Sequence, residues 1–400
     1  MQTDLIITGG GPAGIMASLL FARAGCRVRV LEKHADFLHD FRGDTVHPST
    51  MDIMGQLGLL ERFLARPHQR LTRAELRIGG RELVVGDLSR VRSRTPFVAM
   101  MPQWEFLDFL RQEASSLPGF RLDMGKAVTR YLNEDGRIAG VELASGEQVR
   151  APLVIAADGR HSLVRRHDLL PLKDLGSPID VFWFELPKRT RESGTLRIAV
   201  DGGRILVRVD RGEYWQCALV FPKGRAAELK ARGLGALIAE IEAVEPRLGA
   251  IGGDLASLQD LHLLEVSLDR LTRWHRPGLL AIGDAAHAMS PMGGIGINLA
   301  IQDAVAAANI LAPRLAEGQP VDQLLNKVQR RREASTRLIQ FVQKVAQDWV
   351  LAPVLRRQLA LSKPPLPLRM LEAVPAFRRV SGRAIALGIR RERVELPLAA

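Results

Sequence analysis

Residues 4–34 read DLIITGGGPAGIMASLLFARAGCRVRVLEKH. An apolar run, Leu5-Ile6-Ile7-Thr8, meets three glycines, Gly9, Gly11 and Gly14, in GxGxxG spacing. Residues 12–24 then carry helical spacing, with Ile15, Leu19 and Ala22 on one side. Val28, Val30 and Leu31 form a second strand that ends at Glu32. Gly9 permits a tight turn, Gly11 lets backbone come close to a pyrophosphate, and Gly14 lets the helix press on the strand. The helix start, with Pro12 and Ala13 in its first turn, offers free N–H groups and a partial positive charge to phosphates. Glu32, eighteen residues past Gly14, is placed to accept from a ribose hydroxyl pair. A bare GxGxxG is a common turn, but strand, helix, strand and terminal acid together predict an adenine dinucleotide. A carboxylate at Glu32 repels a ribose 2′-phosphate, which leaves FAD or NAD.

The chain has 400 residues, 46% apolar and 25% charged, ordinary for a globular chain and long enough for two domains and a tail. No apolar run reaches the roughly 18 residues that span a bilayer, and the N-terminus has no basic region to mark a signal peptide. Cys26 and Cys217 fit a reducing, cytoplasmic compartment as small buried hydrophobes. Two cysteines make neither a disulfide framework nor a cysteine-built metal site, and no metal is expected. Net charge is +12, of which residues 351–400, with ten Lys or Arg and three Glu, hold +7. The main fold is left close to neutral, which argues against a nucleic-acid face.

Two later stretches separate FAD from NAD. In LVIAADGRHSLVRR, residues 153–166, a buried strand breaks at Asp158-Gly159, and Ser162, Val164 and Arg165 open a helix. In GLLAIGDAAHAMSPMGGIGINLAIQDAVAAANIL, residues 278–311, a second buried strand ends at Gly283-Asp284. A turn from Pro291 to Asn298 follows, and an alanine-rich helix starts near Gly294.

With these three ordered stretches the chain resembles the FAD-dependent aromatic hydroxylases of the para-hydroxybenzoate hydroxylase type, over most of residues 1–345. The resemblance implies that Asp284 accepts from a ribitol hydroxyl of FAD and that the backbone at Gly294 passes the isoalloxazine. The N–H groups near Gly296, Ile297 and Asn298 then face the pyrimidine edge, where a helix dipole stabilises reduced flavin. It implies that Asp158-Gly159 serves both FAD and the nicotinamide nucleotide. It also places Lys33, Arg42, Gly43, Gln103, Arg111 and Val128 at the cofactor. Arg42 and Arg111 as solvated surface charges are the alternative reading.

The implied fold is mixed α/β (α+β). A Rossmann-like FAD-binding domain is built from 1–73, 97–177 and 268–345. An antiparallel-sheet substrate domain from 74–96 and 178–267 is inserted in it, and a basic helical segment covers 346–400. The strand-like runs 179–186, 195–200, 204–209 and 213–221 carry Gly202-Gly203 as a two-residue hairpin turn. Trp183, Tyr214, Trp215 and Gln216 alternate along that sheet and either line an aromatic substrate pocket or form ordinary core.

The implied chemistry is NADH or NADPH reducing the flavin, dioxygen forming a flavin hydroperoxide, and one oxygen atom passing to an aromatic, quinone or polyketide-like molecule. No second GxGxxG exists, so the nicotinamide nucleotide binds transiently. His47 is the candidate base for a phenolic substrate. His287 is the other histidine beside a flavin stretch, and it reads more as packing. A reductase or dehydrogenase of an isoprenoid or quinone, and a non-catalytic flavin-binding sensor, are the alternatives. FWFELP partly resembles a halogenase stretch, without a lysine to match. The tail reads as short helices with arginines turned outward, or as a peripheral membrane contact through 351–400. The oligomeric state is not legible.

Overall fold

The computed structural model describes residues 3–38, 45–89, 91, 93–189, 195–356, 388 and 390–396. Arg42, Gly43 and most of the basic tail lie outside them. The chain begins with β1 (Leu5–Thr8), α1 (Pro12–Arg23), β2 (Val28–Leu31), α2 (Pro48–Gln56), β3 (Arg73–Ile78) and β4 (Arg81–Asp87). It continues with α3 (Gln103–Ser115), β5 (Phe120–Asp123), β6 (Leu153–Ala156), β7 (Ile179–Pro187), β8 (Thr195–Asp201), β9 (Arg204–Asp210) and β10 (Tyr214–Pro222). Then come α4 (Leu234–Val244), β11 (His262–Leu264), β12 (Leu279–Ala281), α5 (Gly296–Ala316) and α6 (Asp322–Ala346).

Strands β12, β6, β1, β2 and β5 lie in that order in a parallel sheet, edged by an antiparallel bridge at His275–Arg276. β1 and β6 are buried throughout, because the sheet is covered on both faces, by helices and by a three-stranded sheet of residues 128–150 whose middle strand packs on β6. α1, α3 and α5 pack around it. α5 is long and apolar enough to cross a membrane by length and composition, but 78% of its most apolar window is buried inside the protein. It starts at Gly296, two residues later than expected, because Gly293 and Gly294 sit at φ +81° and +59°, outside helical geometry.

The second sheet has seven strands, ordered β11-β7-β10-β9-β8-β3-β4. Gly202 and Gly203 have φ +53° and +78°, as the expected two-residue hairpin demands. One expectation is corrected. The sheet is not antiparallel throughout, because β8 runs parallel to β3. These two strands come from distant parts of the chain, so no hairpin dictates their direction. One face carries Phe182, Phe184, Leu186, Trp215 and Cys217 and packs on α4. The other carries Val181, Trp183, Val207 and Val220 and packs on Leu351, Val354 and Leu355.

Both cysteines are free and buried, and burial pushes the Cys26 thiol up to about 12. After α6 the chain stays helical to Leu355. Residues 391–396, expected to be helical, carry no helix and instead lie along α5 and α6. Asn309 Nδ2 donates to Arg393 O at 2.7 Å, and Arg331 Nε meets Glu392 at 2.7 Å.

Candidate functional site

The three glycine-bearing turns meet at the C-terminal ends of the parallel strands. Gly9 has φ +97°, and a Cβ on it would lie 2.6 Å from Ala157 O and 2.7 Å from Asp158 Cα. The first turn thus abuts the Asp158 turn with no room for a side chain. A Cβ on Gly14 would lie 2.0 Å from Gly9 O, so α1 presses on the turn that precedes it. At Gly283, φ +59°, a Cβ would meet the Cβ atoms of Ala13 and Ala300 at 3.0 and 3.2 Å. That glycine is where the starts of α1 and α5 converge. Gly11 and Gly296 are different: a Cβ on either meets nothing within 4 Å. Their space is open, at the two helix N-termini where a dinucleotide would run.

The polar groups around this space follow the same order. Glu32 is buried; Gly10 N donates to its Oε2 at 2.7 Å and His34 N to its Oε1 at 3.0 Å. Lys33 beside it is exposed. Asp158 accepts from Ser162 Oγ at 2.5 Å and Leu163 N at 3.0 Å. Burial pushes its carboxyl up, and these two bonds offset only part of that. Asp284 is partly exposed and pairs with Arg160 Nε at 3.1 Å, whereas Arg160 Nη1 is buried with no partner among the described residues. Arg165 Nε donates to Ala285 O at 2.9 Å and ties the second turn to the third.

At the far end, Thr45 Oγ1 donates to Gly294 O at 2.8 Å. Asn298 Oδ1 accepts from His47 N at 2.9 Å and Thr50 Oγ1 at 2.7 Å. His47 is buried at the start of α2 and brought to the head of α5. Gln103 is buried at the first position of α3, and Val128 starts a strand near the Glu32 end. Arg111 faces a groove on the Phe37 side of the first turn. It pairs with Asp108 at 2.6 Å and lines this open groove of about 570 Å³ with Phe37, Trp104 and Met124.

Open space over two helix N-termini, an acid at one end, an acid at the middle and, paired with the latter, an arginine that keeps one buried N–H without a partner among the described residues suit an extended dianionic dinucleotide. The FAD-binding domain family profile matches residues 2–342. The chain belongs to this family. It is an FAD-dependent monooxygenase. It is 32% identical to a 6-methylpretetramide 4-monooxygenase of Streptomyces rimosus, over 99% of this chain and 95% of that protein. The anhydrotetracycline hydroxylase of the same organism shares the fold at TM-score 0.74 and 23% identity, over 98% of this chain and 77% of that one. A probable FAD-dependent monooxygenase of Pseudomonas aeruginosa shares it at TM-score 0.75 and 22% identity, over 90% and 98%.

The flavoprotein also carries groups the sequence did not reveal. Beneath Gly283, Asp303 on α5 is fully buried. It accepts from Gly283 N at 3.1 Å, His287 Nε2 at 2.7 Å and Arg332 Nε at 2.9 Å, and Arg332 in turn meets Glu392 at 3.4 Å. His287 is thus a strut beneath the turn. α6 and the turn after it point buried glutamines inward: Gln343 accepts from Ser290 N and donates to Ser290 O and Met292 O, and Gln347, just past α6, donates to Ser290 Oγ at 2.7 Å. These amides fix the stretch that leads into Gly294.

The four aromatic or polar candidates on the seven-stranded sheet do not act together. Trp215 faces α4, 2% exposed, with Lys188 and Arg208 stacked at 5.2 and 5.1 Å, and belongs to that core. Trp183, Tyr214 and Gln216 alternate to the opposite face, where Gln216 Oε1 accepts from Arg211 Nε at 3.0 Å. Trp183 Nε1 is buried with no acceptor among the described residues.

One prediction arises directly. Asp284→Ala should weaken FAD binding by roughly 1–3 kcal/mol, the loss of a charged hydrogen-bond partner. Flavin fluorescence titration of the apoprotein measures it, and an unchanged dissociation constant would mean that Asp284 does not touch the cofactor.

Proposed function

We propose that this monooxygenase hydroxylates a polycyclic aromatic or polyketide-like molecule, using NADH or NADPH as reductant and dioxygen as oxygen source. The observation that carries the reading is the end-to-end similarity to an enzyme acting on 6-methylpretetramide. The sheet face bearing Trp183 supports it, being apolar with one buried donor that lacks a partner.

In this reading Glu32 holds the adenosine ribose, the N–H groups after Gly11 hold the pyrophosphate, and Asp284 holds a ribitol hydroxyl. Arg160, released from Asp284, is left to the phosphates. The head of α5 faces the ring, and its partial positive charge favours negative charge there. Bound FAD supplies the redox chemistry: hydride uptake and delivery of oxygen to a ring carbon. The protein's part is to orient the ring and exclude water. Thr45, Thr50 and Asn298 hold the head of α5, while Gln343 and Gln347 hold the loop before it. His47, anchored through its backbone to Asn298, is the proposed acceptor of a phenol proton. Trp183 Nε1 donates to a substrate oxygen.

The deciding experiment supplies holoenzyme with NADH or NADPH, isotopically labelled dioxygen and a panel of polycyclic phenols. The expected result is one labelled oxygen atom in the product. Reductant oxidation that yields only hydrogen peroxide with every phenol would reject the reading. Trp183→Phe removes the donor and keeps the ring. It should raise KM by about tenfold, the worth of one hydrogen bond, with FAD affinity unchanged. An unchanged KM would remove Trp183 from the pocket.

A further inference from the structure

The last described residues, 390–396, form neither helix nor strand, yet they touch three helices. Toward α6, Arg331 Nε donates to Glu392 Oε2 at 2.7 Å, and Arg332 Nη1 meets Glu392 Oε1 at 3.4 Å. Toward α5, Asn309 Nδ2 donates to Arg393 O at 2.7 Å, and Asn309 Oδ1 accepts from Glu395 N at 3.0 Å. Toward α2, Val394 N donates to Gln56 Oε1 at 2.7 Å, and Arg391 Nη1 meets Asp52 at 3.2 Å. Glu392 and Leu396 are buried, whereas Arg390, Arg391, Arg393 and Glu395 are exposed. The segment is a strap held more by polar bonds than by apolar area, so it belongs to the parts of a fold that open locally at low cost.

Two routes lead from this strap to the cofactor turns. The first is electrostatic. Arg332 is fully buried between Glu392 and Asp303, and Asp303 also accepts from Gly283 N, one residue before Asp284. Without Glu392 the buried guanidinium would keep a single carboxylate, one that His287 and Gly283 N also use. A buried charge with incomplete compensation draws in water or shifts its partners. The second route is mechanical. The strap ties the C-terminal half of α2 to the middle of α5. At the other end of α2, His47 N and Thr50 Oγ1 both donate to Asn298 Oδ1, three turns back along α5 from Asn309, or about 16 Å. The strap and the Asn298 contact are two ends of one α2–α5 junction.

We propose that residues 390–396 are a positioning strap for the cofactor. Closed, the strap holds Arg332 on Asp303 and α2 on α5 in the arrangement that receives FAD, without touching FAD itself. The inference rests on FAD binding alone and not on the identity of the substrate. Strap closure and FAD binding then favour each other by the same factor, because coupling between two sites is reciprocal. The expected factor is about tenfold, inside the roughly 5–150-fold span common for coupled sites.

Hydrogen exchange on the full-length protein, with and without FAD, tests the coupling. The amides of Val394 and Glu395 bond to Gln56 and Asn309, neither of which lies in a cofactor turn. FAD should slow their exchange about tenfold. Amides of the Gly202-Gly203 hairpin, far along the second sheet, report any general stabilisation and should slow less. Glu392→Gln keeps the side chain's shape and removes its charge. It should raise the FAD dissociation constant about tenfold and abolish the slowing at Val394. If Glu392→Gln fails to fold, Asn309→Ala carries the test. It removes both α5 bonds to the strap backbone from a half-buried position, and it should weaken FAD in the same direction. Equal exchange at Val394 and Glu395 in the apoprotein and the holoenzyme would overturn the proposal. So would an Asn309→Ala protein whose strap amides exchange freely while FAD binds as in the wild type.

Discussion

Gly9→Ala should give a protein that melts far below the wild type and copurifies with no FAD, whereas Gly11→Ala should fold normally and still fail to hold the cofactor. The contrast follows from what each methyl would meet. At Gly9 the backbone is at φ +97°, which costs an L-residue about 1–2 kcal/mol. The new Cβ would also lie 2.6 Å from Ala157 O and 2.7 Å from Asp158 Cα. Both are backbone atoms at the end of β6, in the middle of the parallel sheet, and neither can swing aside as a side-chain tip would. Relief requires β1 and β6 to part, and overpacking of this kind costs roughly 1–3 kcal/mol more. At Gly11 the backbone is extended, φ −70°, and the methyl meets nothing. Its only conflict is with a ligand that needs the backbone close, so affinity falls while apoprotein stability stays within about 0.5 kcal/mol. Thermal melting of both apoproteins and FAD titration of Gly11→Ala give the three numbers required. A Gly11→Ala protein that binds FAD as the wild type does would mean that the dinucleotide does not cross this turn.

The same pair shows why the three turns of the candidate site were legible in sequence. Glycine is chosen where backbone geometry or close approach leaves no alternative, so the three turns announce themselves residue by residue. Apolar runs did the same for β1 and β6, where Leu5-Ile6-Ile7 and Leu153-Val154-Ile155-Ala156 fit a short strand covered on both faces. The supporting groups gave no such signal. Glutamine is mostly exposed, so nothing in the sequence sets Gln340, Gln343 and Gln347 apart; only the fold reveals that their amides satisfy a loop. Arg332 lies in a run of three arginines that looks like surface charge, yet it is fully buried. Its partners Asp303 and Glu392 are 29 and 60 residues away, beyond the reach of any local pattern. The substrate sheet was half legible. Alternation placed its strands, but which face Trp215 took depended on α4, and β8 pairs parallel with β3 across a separation that no turn chemistry encodes.

Asp303→Asn should destabilise the protein by roughly 3 kcal/mol, because it takes from the buried Arg332 guanidinium the nearer of its two carboxylates and leaves only Glu392 at 3.4 Å. Burial alone would push the Asp303 carboxyl up. His287 and Arg332, on its two oxygens, outweigh that and hold it below the usual carboxylate range. The sign of the pH dependence follows. A carboxyl whose folded pKa is depressed binds its proton more readily in the unfolded chain, so its stabilisation is complete above the ordinary value of about 4. It is then lost as pH falls through the folded value. The wild-type melting temperature should therefore drop more steeply below pH 4 than that of Asp303→Asn, and the two curves should converge in acid. Parallel curves would show that the carboxylate contributes nothing through ionisation. A second readout locates the effect. Asp303 also accepts from Gly283 N, one residue before Asp284. If the buried chain aligns that turn, FAD affinity of Asp303→Asn should fall below wild type even at temperatures where the variant is fully folded.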